Sequence, residues 1–156
     1  MIAKKSELVL KRFVVVNSKL SFIVPNNNKT QNSFDLLNSY PVDIDFNIEE
    51  DASKKIYRIV VSVKINTELE KDNSGYSIDV TGIGFFEFDQ TTDLTEDIKI
   101  QMLQFSGLSI CITNLRSYIA NQTSYFPWGN FSFHAVDLQD LLLAKTKTTE
   151  KNASTE

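Results

Sequence analysis

The chain has 156 residues, of which 42% are hydrophobic and 23% charged, the composition of one domain with a packed core. A net charge of −4 argues against a nucleic-acid partner, which needs clustered Lys and Arg; the one basic cluster, Lys4, Lys5, Lys11 and Arg12, reads as a solvated strand start. A single cysteine, Cys111, excludes an intrachain disulfide and a cysteine zinc site. No apolar run approaches the ~20 residues of a membrane span, and no secretory signal opens the chain, so a reduced, cytoplasmic setting is expected.

In chain order, residues 8–24 read as a long strand bent or bulged near Asn17, where Asn17-Ser18-Lys19 interrupts the apolar pattern. Pro25 and the asparagines after it end the strand. Residues 29–40 are polar apart from Phe34, Leu36 and Leu37 and read as a crossover loop. Alternation returns at 42–49, with Val42, Ile44, Phe46 and Ile48 on one face and Asp43, Asp45, Asn47 and Glu49 on the other. The most sustained pattern spans 55–70 and 75–88. Tyr57, Ile59, Val61, Val63, Ile65 and Leu69 share one face, and Tyr76, Ile78, Val80, Gly84, Phe86 and Phe88 continue it after a turn at Asp72-Asn73-Ser74-Gly75.

After Phe88 the spacing changes to threes and fours. Ile98, Met102, Phe105, Leu108, Ile112, Leu115 and Ile119 form a helical stripe, with Thr95 at its start and Gly107 as a point of break or kink. An aromatic loop follows at Tyr125-Phe126-Pro127-Trp128-Gly129. Asp137 then caps a last helix through Leu138, Leu141, Leu142 and Leu143. Residues 145–156 are polar and are expected to be a disordered tail after a single domain at 1–144. Four antiparallel strands followed by helices predict an α+β domain, a four-stranded antiparallel sheet with helices packed on one face.

Catalytic chemistry has few carriers. His134 is the one histidine, and Cys111 lies between two isoleucines of the helical stripe, as a small buried hydrophobe does. Gly82-Ile83-Gly84 lacks the third glycine of a dinucleotide loop and reads as close packing. Asp43, Asp45 and Glu49 lack the spacing of a calcium loop and read as a solvated strand face. No enzyme activity, metal or cofactor is expected. Aromatic residues do stand out: 11 Phe, 5 Tyr and one Trp. With Val60, Ile83 and Phe85 on the otherwise polar sheet face, they point to binding.

The order of these features resembles SecB, the bacterial protein-export chaperone. The resemblance runs from about Leu8 to Leu143. It is carried by Arg12-Phe13-Val14-Val15-Val16, by Phe22 with Pro25-Asn26, and by the alternation from Tyr57 to Leu69. It continues in Tyr76 to Val80 with Gly84-Phe85-Phe86, in Arg116 and Ile119, in Phe126-Pro127, and in Phe131 to Leu138. It implies a homotetramer built as a dimer of dimers, holding unfolded polypeptide clients without ATP in apolar grooves near the crossover loop. On that resemblance the peptide-binding residues are Phe22, Phe34, Phe46, Phe85, Phe126 and Trp128. The export motor SecA would dock on acidic residues of the outer sheet surface. Of the positions that carry the acids, Lys19 and Ile23 depart and Asp79 keeps one. Two alternatives are a structural or assembly protein of the same fold, and a chaperone dedicated to one client such as an antitoxin.

Overall fold

The computed structural model describes the chain except residues 1, 3, 26–32, 52, 54, 68–73, 90, 92 and 154–156, and except the side chains of 33, 34 and 148–153. Four strands, β1 (Leu8–Ile23), β2 (Val42–Asp51), β3 (Ile56–Ile65) and β4 (Gly75–Phe88), form one antiparallel sheet in the order β1-β4-β3-β2. A short helix, α1 (Ser33–Ser39), lies in the crossover, where the sequence predicts loop, and Tyr40 after it is buried. The helical layer is α2 (Glu96–Met102), a π turn at Leu103–Gly107, and α3 (Leu108–Thr123), followed by α4 (Leu138–Ala153).

The alternation in the sequence maps directly onto the sheet. Ile59, Val61, Val63 and Ile65 of β3 and Tyr76, Ile78, Val80 and Phe86 of β4 are wholly buried, because their side chains share the face that α3 covers. Strand β1 does bulge, with register shifts between Leu10 and Arg12 and between Val15 and Asn17; each extra residue restores the apolar parity on the inner face. Strand β3 stops at Ile65, short of the expected 70. Asn66 takes a left-handed backbone, φ 53°, and its side-chain amide donates to the Tyr76 carbonyl at 2.9 Å, which turns the chain out of the ladder. Gly75 has the positive φ, 94°, that the turn requires. Leu69, Asp72 and Asn73 lie outside the described residues.

Helix and sheet approach closely where β4 carries glycine. A Cβ at Gly84 would lie 2.5 Å from the Cys111 Sγ, and one at Gly82 would lie 3.0 Å from Leu115 Cδ2. Gly107 does the same from the helix side, where a Cβ would meet Ile59 Cδ1 at 2.6 Å. The break expected at Gly107 is instead a π turn that carries the helix through. Its extra residue per turn rotates the stripe: Leu103 and Gly107 become the buried positions, while Ile98 and Phe105, expected to face the sheet, are 44% and 42% exposed.

The end of the chain departs from expectation. Residues past Lys145 continue α4 to Ala153 rather than forming a disordered tail. Asp137 Oδ1 accepts from the Gln139 and Asp140 amides at 2.9 and 3.2 Å and so caps the helix start, as the sequence implies. Once the packed Leu138–Leu142 turn has nucleated the helix, each further residue adds a hydrogen bond at little cost. Lys145 anchors the extension, with its Nζ 2.6 Å from Asp45 Oδ1 and 5.8 Å from the Phe46 ring centroid.

Candidate functional site

Three of the six predicted peptide-binding residues meet at one end of the molecule. Phe22 comes from the end of β1, and Phe126 and Trp128 from the loop after α3; all three are half-buried around Tyr76. The Phe22 ring stands edge-on to Trp128 at 5.1 Å and to Tyr76 at 5.6 Å; Phe126 lies 5.7 Å from Tyr76. Local pattern puts Tyr76 on the inner sheet face but does not mark it as the centre of this cluster. It is wholly buried, and its hydroxyl donates to the Gly129 carbonyl at 2.5 Å, tying β4 to the aromatic loop. Phe131 sits 5.8 Å from the Tyr76 ring, and its amide donates to the buried Thr123 Oγ1 at 2.8 Å. Tyr40 closes the other side, its hydroxyl on the Ser74 carbonyl at 2.6 Å. Burial pushes both tyrosine hydroxyls above their ordinary pKa, so they stay protonated donors.

Two large apolar side chains near this cluster in the chain are exposed. Val24 is 71% exposed and Tyr125 91%, each next to a cluster residue in the chain or two away from one. Gly75 sits at the heart of it. A Cβ there would collide with the Tyr40 hydroxyl and the Trp128 ring, so the glycine is what allows those two side chains to close over the start of β4.

The other predicted residues lie elsewhere. Phe46 points from β2 into the core at 7% exposure, under Lys145 of α4. A groove of about 580 Å³ runs beside it between β2 and α4; apolar Ile44, Phe46 and Leu141 line it together with charged Asp43, Asp45 and Lys64. It adjoins a second groove of about 220 Å³ over Val42, Val136 and His134. Strand β2 is a sheet edge, paired with β3 alone among the described strands. Phe85 is half-buried on the opposite, outer face of the sheet, between Arg12 and Arg58 in register. The Phe34 side chain lies outside the described residues. Asp79 is also on the outer face, between Lys19 and Lys64, and accepts from the Asn17 amide at 3.1 Å.

Among the described residues no group of three His, Cys, Asp or Glu side chains is placed to hold a metal ion. No described helix is long and apolar enough to cross a membrane. Cys111 is buried against Gly84, and burial pushes its thiol from 9.0 up to about 12. Two outcomes follow. An aromatic disulfide reagent at pH 8 should leave the native thiol unmodified and label it on unfolding. The folded pKa lies above the unfolded one, so the thiol's contribution to stability is complete below pH 9 and is lost as pH rises toward 12. Chemical denaturation at pH 8 and pH 10.5 should show that slope in the native chain and a shallower one in Cys111→Ala.

No protein-family model and no curated protein matches the sequence. Solved structures do match. The SecB-like chaperone Rv1957 of Mycobacterium tuberculosis, solved with a ChAD peptide from the Rv1956 HigA1 antitoxin, aligns with a TM-score of 0.59 at 10% identity, over 83% of this chain and 91% of its own. The fold is SecB-like. A protein of unknown function from Streptococcus agalactiae aligns at 11% identity and a TM-score of 0.36, over 83% of this chain and 98% of its own. At 10% identity the likeness to Rv1957 concerns the fold alone.

Proposed function

We propose that this chain is an ATP-independent holding chaperone, without enzyme activity, that binds polypeptides in extended, non-native form. The observation that carries the reading is the outer edge of β2 beside a groove that combines apolar Ile44, Phe46 and Leu141 with charged Asp43, Asp45 and Lys64, within a SecB-like fold. An extended client pairs its backbone with such an edge while its side chains enter the groove, a recognition mode that reads shape and apolarity rather than sequence. The aromatic end around Phe22 and Trp128 supplies a second contact, and several weak contacts on a homotetramer built as a dimer of dimers add up to useful affinity. The exposed Ile98, Ile100 and Phe105 of the long helix are the apolar surface available for that assembly.

The reading favours a dedicated client over an export role. The Rv1957 structure holds an antitoxin peptide, and the acid at Asp79 is flanked here by Lys19 and Lys64, a poor site for docking SecA through negative charge. The test is light scattering of a heat-aggregating protein with and without this chain, on a sample whose mass is fixed by multi-angle scattering. Suppression at near-stoichiometric ratio is expected. The double variant Phe22→Ala/Trp128→Ala should need roughly tenfold more chain, the effect of ~1.4 kcal/mol of lost contact. A clean oligomer that suppresses nothing, in this assay and with peptides tiled from candidate clients, would leave an assembly role instead.

A further inference from the structure

Among the described residues, the outer face of the sheet is left uncovered at its centre. Val14, Ile83 and Val60 form one row across β1, β4 and β3, with Phe85 in the next row, and none of the four belongs to the core. All are half-buried by their neighbours alone. Around this apolar centre the charges are sorted by strand. On the outer face, β1 presents Arg12 and Lys19, β4 Asp79 and Glu87, β3 Arg58 and Lys64, and β2 Asp43, Asp45 and Glu49. The sign therefore alternates strand by strand across the sheet and is opposite at the two edges.

Such a face is complementary to itself under one operation. A twofold axis parallel to the strands, passing between β3 and β4, lays β1 over the partner copy's β2 and β4 over its β3 while keeping each row on itself. The row of Arg12 then faces the row of Glu49, and Lys19 faces Asp43. At the centre Ile83 meets Val60, and Phe85 meets the Arg58 guanidinium, a cation over an aromatic face. Asp79 meets Lys64. The alternative in-plane axis, across the strands, sets β1 on β1 and β2 on β2, like charge on like, and is excluded by the same pattern. Two twisted sheets pack in this aligned way at ~10 Å, within about 30° of parallel.

We propose that the outer sheet face is a dimerisation surface, on which a second copy of this chain packs face to face about a twofold axis parallel to the strands. Four strands at their ordinary spacing and rise present roughly 600 Å² per copy, somewhat below the ~800 Å² per partner of a standard specific interface. The pairing is therefore reversible and sensitive to salt. Its charged members are exposed or half-buried, and the in-chain pairs Arg58 with Glu49 at 2.8 Å and Lys11 with Glu87 at 3.2 Å lie on the same face. Helix α4 reaches this face at its β2 margin, where Lys145 holds Asp45. The two surfaces share the β2 margin, where Asp43, Asp45 and Lys64 also line the groove beside α4, while the Val14, Ile83, Val60 and Phe85 centre belongs to the dimer face alone.

The experiment is cross-linking of Val14→Cys/Asn47→Cys with a bismaleimide whose reach matches the ~10 Å gap between packed sheets. Within one copy these positions sit on opposite edges of the sheet, and the native Cys111 is buried. Covalent dimer from the double variant, at least tenfold more than from either single variant, is the expected result. The axis brings the thiol introduced at position 14 over the one introduced at position 47 of the second copy, and it keeps like positions apart. Lys19→Glu added to that background should lower the yield about tenfold, and Asp43→Lys added to both should restore it. If the cysteine pair does not fold, the same charge swap in the native chain, followed by sedimentation velocity, reads the same loss and recovery. Equal yields from single and double variants, no covalent dimer, or indifference to the charge reversal overturns the proposal.

Discussion

Replacing Tyr76 with alanine should cost the fold about 3–5 kcal/mol, the range for deleting a large aromatic from a core. Tyr76 is wholly buried, it contacts Phe22, Phe126, Trp128 and Phe131 by its ring, and its hydroxyl holds the Gly129 carbonyl. Truncation leaves a cavity that four other rings cannot fill without leaving their rotamers, and it strands the carbonyl. Tyr76→Phe separates the two losses: it keeps the ring and forfeits one hydrogen bond, about 1 kcal/mol. Urea denaturation of the three proteins checks this. A Tyr76→Ala cost below about 1.5 kcal/mol, well under that range, would mean the cluster is loose enough to repack, and its rings would then be poor anchors for a client.

Gly84→Val should also be damaging, for the opposite reason. The added Cβ lands 2.5 Å from Cys111 Sγ and 2.7 Å from Phe86 Cε2, both in the buried seam between β4 and α3. To relieve the overlap the helix must move off the sheet, and such overpacking costs about 1–3 kcal/mol, more for a β-branched side chain facing two buried partners. Gly84→Ala/Cys111→Ala should recover part of what Gly84→Ala loses, since it removes one of the two atoms the new Cβ meets. The Phe86 contact stays, so recovery is incomplete. Thermal melts of the two singles and the double measure the coupling, and additive losses would show that Cys111 is not the atom that sets the helix–sheet distance.

Tyr76 and Gly84 differ in how visible their roles are in the chain. The faces of β3 and β4 are legible because burial on one side forces a period of two, and Ile59 to Ile65 and Tyr76 to Phe86 obey it without exception. The cap at Asp137 and the close packing at Gly82 and Gly84 are also legible, since each rests on the chemistry of one residue type. The aromatic cluster is half legible. Phe22, Phe126 and Trp128 stand out as aromatics, yet nothing local says that residues more than a hundred positions apart meet around Tyr76.

Local pattern thus specifies the strands, the core face of the sheet and the existence of a long helix. It misplaces what depends on contacts distant in the chain. The π turn at Leu103–Gly107 rotates the helical stripe so that Leu103 is buried and Phe105 is not, because the sheet sets which side of the helix faces in. Lys145 of the helical extension rests on Asp45 and Phe46, about a hundred residues earlier, a contact that no local pattern marks. The self-complementary charge rows of the outer face exist only once β1 pairs with β4 and β2 with β3, since strand order and register are properties of the assembled sheet and not of any one strand.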